Sequence, residues 1–138
     1  MIFAPCITDS VPRYHDTLSP HVSSKYPIES DFQVVVLGIL RRSGVKYKTD
    51  YRPTALWRAM CDFLIGENIV CECKVDMRTH PAATCLGQMM RYKHEHTGPI
   101  ILLIPDDVWL WPPDEKLLVQ FCEIVKEGQL IEWLALNS

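Results

Sequence analysis

Residues 61–74 read CDFLIGENIVCECK. Two apolar runs flank Gly66-Glu67-Asn68, and the pattern predicts a β-hairpin with strands over 59–65 and 69–75. On the second strand Ile69, Cys71, Cys73 and Val75 face one way, and Val70, Glu72 and Lys74 the other. The two cysteines then serve as small apolar core residues. Asp62 lies on the partner strand, roughly opposite or diagonal to Glu72. Burying such charges is costly unless they are paired or bound to a metal. Two carboxylates this close repel unless something positive lies between them. Mg²⁺, which takes a few carboxylate oxygens, meets that need.

Working outward, residues 1–26 show no clear period and read as an irregular arm. A helix opens near Pro27, and Phe32, Val35, Val36, Ile39 and Leu40 repeat at helical spacing. Arg41, Arg42, Ser43 and Gly44 close it. Glu29, three residues before Phe32, falls on the inward stripe of this helix and is a fourth candidate for the site. A strand is expected over 45–51. After the hairpin, a helix runs from Thr79 to about His96, with Gln88 and Tyr92 on one face. Ile100–Ile104 reads as a strand buried on both sides. Residues 106–138 are expected to add a last helix, about 114–127, and an edge strand over 129–136.

Taken together, the pattern resembles the PD-(D/E)xK nuclease superfamily. Asp62 with Glu72-Cys73-Lys74 matches its Asp…Glu-x-Lys signature, Glu29 its upstream helical acid, and Gln88-x-x-x-Tyr92 the motif of its RecB-type members. The match spans residues 27–105, although Met60-Cys61-Asp62 lacks the usual proline near the aspartate. The resemblance implies a single α/β domain with a restriction-endonuclease-like α-β-β-β-α-β core. It implies a Mg²⁺- or Mn²⁺-dependent endodeoxyribonuclease. Asp62, Glu72 and the main-chain carbonyl of Cys73 would hold the cation, and Glu29 would serve a second cation position or orient water. Lys74 would act beside the attacking water, and Gln88 and Tyr92 would position the phosphate. The other readings are a non-catalytic nucleic-acid-binding or assembly module, and an RNA-cleaving enzyme with His21 as its nearest extra ligand.

The remaining features bound these readings. The 138-residue chain carries a net charge of −3, which alone argues against a nucleic-acid binder. The charge is uneven: residues 38–96 hold ten Lys and Arg against six Asp and Glu, and residues 106–138 two against seven. Arg41, Arg42, Lys46, Lys48 and Arg52 are candidates for DNA-backbone contacts, as are Arg78, Arg91, Lys93, His94 and His96. Trp109 and Trp111 suit a core or subunit interface. The N-terminus does not read as a signal peptide, and no apolar run is long enough to span a membrane. A cytoplasmic or nuclear protein with reduced cysteines is expected. No Cys-x-x-Cys pair supports a zinc site. With no room for a separate recognition domain, cutting both strands of DNA calls for a homo-oligomer.

Overall fold

The computed structural model describes residues 21–52 and 60–137. Helix α1 (Glu29–Ser43) leads into β1 (Tyr47–Tyr51), β2 (Cys61–Ile65) and β3 (Ile69–Cys73). Helix α2 (Thr79–Glu95), β4 (Ile100–Ile104) and α3 (Pro112–Leu118) follow, then β5 (Glu123–Lys126) and α4 (Leu130–Asn137). The expected arm lies largely outside the described residues, as does position 59 of the first hairpin strand. Its last part is docked. Val22 bridges Asp76, and the Asp107 carboxylate accepts from both Ser23 and Ser24. Tyr26 packs on Phe32 in the core.

The five strands lie in chain order, β1 to β5. β1, β2 and β3 form an antiparallel meander, and β4 and β5 join in parallel. Antiparallel neighbours need only tight turns, which Gly66 supplies with φ +63. The parallel step from β3 to β4 needs a crossover, and α2 is that crossover. Phe32, Val36, Ile39 and Leu40 set α1 on one face, beside α4 with Leu130, Trp133 and Leu134. Ala82, Cys85, Met89 and Tyr92 set α2 on the other, beside α3. β4 is buried throughout, as its unbroken apolar run requires. Gly44 caps α1 in the left-handed conformation.

The C-terminal segment overturns the expected order. The helix stops at Leu118 instead of running to residue 127, and Glu123–Lys126 becomes a strand. The residues expected as an edge strand, 129–136, are mostly helix. The cause is tertiary. Phe121 and Cys122 turn back on the Leu118 carbonyl, and the open parallel edge of β4 recruits β5. Leu130, Trp133 and Leu134 then cover that side at helical spacing, with the Trp133 indole donating to Glu123 at 2.8 Å.

Candidate functional site

The hairpin opens where the chemistry collects. The register of β2 and β3 pairs Ile65 with Ile69, Leu64 with Val70 and Phe63 with Cys71, and stops there. Beyond it, the Asp62 carboxylate replaces a main-chain acceptor: its Oδ2 takes the Cys73 N–H at 2.7 Å. Its Oδ1 accepts from the Gln33 side-chain amide at 2.9 Å. The same amide donates to Glu29 Oε2 at 3.3 Å. One turn of α1 therefore ties Glu29 to Asp62.

Glu72 is held from the opposite side of the sheet. The Tyr92 hydroxyl of α2 donates to its Oε1 at 2.8 Å and lies 3.3 Å from the Met60 carbonyl oxygen. Lys74 Nζ stands 3.7 Å from Glu72 Oε2. The expected shared face holds for Glu72 and Lys74. Asp62 departs from it, reaching toward α1 and the strand gap, because the ladder ends one residue before it.

Glu72 is only 4% exposed. Burial, and then the like charge of Asp62, pushes its carboxyl up to about 8 against the pull of Lys74. Burial also raises Asp62, despite the Cys73 N–H, Lys74 and Gln33. It raises Glu29, where Lys74 opposes and Asp62 adds. Burial raises the Tyr92 phenol, with Glu72 next. Among the described residues, the three carboxyls thus share the field of one ammonium, that of Lys74. Were all three ionised together, their charge would exceed what Lys74 offsets, and a divalent cation would relieve that excess.

Hard oxygen donors with excess negative charge suit Mg²⁺ or Mn²⁺. The expected ligand set is nevertheless not assembled as one group. Among the described residues, no three His, Cys, Asp or Glu side chains are gathered to hold a metal ion. The Gln33 amide stands between Glu29 and Asp62, bonded to both carboxylates. Asp62 and Glu72 have the main chain of Cys73 beside them. The Cys73 thiol is fully buried in the opposite core, with Cys71, and burial holds it well above its ordinary pKa. All five described cysteines are free.

No family model, curated protein or solved structure matches this chain. Function has to be read from the side chains themselves.

The other predicted residues fall in two groups. Gln88, one turn before Tyr92, has a buried Oε1 with no hydrogen-bond partner among the described residues. A buried amide oxygen left unpaired is costly and invites an added donor. The basic residues lie elsewhere. Arg41 is twelve residues along α1 from Glu29, or about 18 Å at 1.5 Å per residue. It donates to Tyr47, and Lys46 pairs with Glu67 at the far turn of the hairpin. Lys48 lies over the Tyr51 ring. These cations are not brought to the carboxylates. Arg78 is forked onto Asp76 ahead of α2. Among the described residues no helix is long and apolar enough to cross a membrane.

Two neighbours were not expected. Gln33 is four residues after Glu29, a spacing that places both on one helix face, and that signal was readable. Asp50 was not. It falls between the pairs Thr49–Phe63 and Tyr51–Cys61, opposite Asp62, and its charge adds to the rise of Asp62. Its φ of +48 is left-handed, which aspartate tolerates better than most residues.

Proposed function

We propose that the chain is a Mg²⁺- or Mn²⁺-dependent endodeoxyribonuclease of the PD-(D/E)xK type, hydrolysing phosphodiester bonds in DNA. The observation that carries this reading is the meeting of Asp62, Glu72 and Lys74 where β2 parts from β3. Without a cation, burial and the neighbouring Asp62 keep Glu72 from ionising until about 8 even with Lys74 at 3.7 Å, a cost that a purely structural ion pair would not need. The antiparallel meander with a parallel fourth strand also supports it, since that is the core the motif resemblance implies.

Asp62 and Glu72 would hold the cation. Once bound, it supplies Lewis-acid stabilisation of the phosphate and a water of lowered pKa. Asp62 is oriented for this by two donors, and Glu72 by Tyr92, so little reorganisation is needed. Lys74 presents its ammonium on the same side and offsets charge developing on the phosphate. Gln88 offers its unpartnered oxygen to a water or a nucleotide donor.

DNA cleavage also asks for contacts away from the reacting bond. Arg41, Arg42, Lys46 and Lys48 would meet the backbone of a long duplex at some distance from the cut. Cutting both strands would join two copies of the chain.

The test is cleavage of duplex, branched, flapped and single-stranded DNA with Mg²⁺, with Mn²⁺ and with EDTA. Cutting of one form that EDTA abolishes is the expected result. Binding with no cutting in either metal would favour a non-catalytic binding module instead. In the same assay, replacing Arg41 and Arg42 with alanine should weaken binding and flatten its salt dependence. Each lost phosphate contact removes about 0.9 from the log–log slope. An unchanged slope would remove these two residues from the interface.

A further inference from the structure

We propose that Gln33 makes this a one-cation site: its amide fills the gap between Glu29 and Asp62 that a second cation would need. The inference rests on the cation-dependent reading above and concerns how many ions that site takes.

The Gln33 Nε2 lies 2.9 Å from Asp62 Oδ1 and 3.3 Å from Glu29 Oε2. An amide –NH₂ has two hydrogens, enough to serve both carboxylates. A cation shared by these two carboxylates would need the room that the amide nitrogen now takes, since Mg²⁺ requires its ligands at only about 2.0–2.1 Å. The amide thus imitates a bridging ion in shape while bringing no charge. Its place is fixed from below. Phe32 and Val36 are fully buried and clamp this turn of α1 to the sheet. Glu29 and Gln33 are one turn apart and project together. The amide bridge also accounts for the absence of a three-carboxylate group among the described residues. Asp62 and Glu72 keep the Lys74 side of the cluster for a single ion.

The test counts ions on the whole chain without DNA. Mn²⁺ is titrated calorimetrically, and bound Mn²⁺ is counted separately by electron paramagnetic resonance. The wild type should bind one Mn²⁺ per chain. Gln33→Glu, which removes the amide and adds a carboxylate, should bind two. Gln33→Ala, which only empties the gap, should also admit a second, weaker ion. It stands in if Gln33→Glu fails to fold by circular dichroism. Asp62→Asn should weaken the first ion at least 100-fold in every background. A wild type holding two ions overturns the one-cation inference and leaves the cation-dependent reading intact. One ion in both Gln33 variants does the same. A wild type that binds no Mn²⁺ overturns both.

Discussion

Replacing Lys74 with alanine should lower metal-dependent DNA cleavage by roughly 10²–10³-fold, the usual cost of losing a charge aimed at a transition state. The fold should survive, because Lys74 lies just past the end of β3 and its side chain is not part of either apolar cluster. DNA affinity should change little, since most of it comes from backbone contacts elsewhere. A second effect follows from the 3.7 Å pair with Glu72. Without Lys74, a buried carboxylate loses a cation that pulls its pKa down and holds its proton more tightly. The pH optimum of the residual activity should therefore move upward. The measurement is paired binding and single-turnover cleavage on one substrate across pH. If Lys74→Ala cuts DNA at the wild-type rate, Lys74 has no part in the chemistry.

The metal-free protein should lose stability as pH rises from about 4.5 to about 8. Glu72 drives this: its carboxyl titrates at about 8 in the folded chain, against 4.5 ordinarily. Below pH 4.5 both forms are protonated, and the contribution is fully present. Between the two values the unfolded chain has released the proton and the folded chain still holds it, so ionisation favours unfolding. Each pKa unit is worth about 1.4 kcal/mol, which makes the loss several kcal/mol. Asp62 and Glu29 are raised as well and act with the same sign. Asp107 acts in the other direction and at lower pH. Burial pushes it up, but donors from Ser23, Ser24 and Lys25 hold it at about 2, so its stabilisation fades only in acid. Glu72→Gln should raise stability at pH 8 and flatten the profile. Mn²⁺ should stabilise the wild type more at pH 8 than at pH 5.5, because it favours the ionised carboxylates. Urea unfolding across pH, with and without Mn²⁺, checks all three. Equal metal-free stability at pH 5.5 and 8.5 would show that Glu72 is not strained by its burial.

The first four strands and the helices α1 and α2 were legible because each has one strong period and clear punctuation. Gly44 and Gly66 mark a helix end and a turn, and Ile100–Ile104 has no polar residue to contradict it. The stretch from 119 to 126 has no such marks. Its Ile124 and Val125 suit a strand, yet Leu118, Phe121 and Cys122 also fit a helix, and only the open edge of β4 decides. In the site, Glu72 and Lys74 were readable from alternation within one strand. The position of Asp62 was not, because it depends on where pairing between two strands stops. The role of Gln33 needed the distance between two elements, and Asp50 needed a left-handed backbone that nothing in the local sequence demands.

β1 is an outer strand of the sheet, and its row of main-chain groups would ordinarily invite another chain to add to it. Here the invitation is spoiled. Lys48, Thr49 and Asp50 are all exposed, two of them charged, and the left-handed Asp50 breaks the regular run that an incoming strand would copy. Two copies stitched edge to edge through β1 would have to straighten that kink and stack these charges. Among the described residues this edge is therefore a poor template for an added strand. The helical layer offers a different surface, where α4 turns Ile131 and Leu136 outward at 65% and 78% exposure.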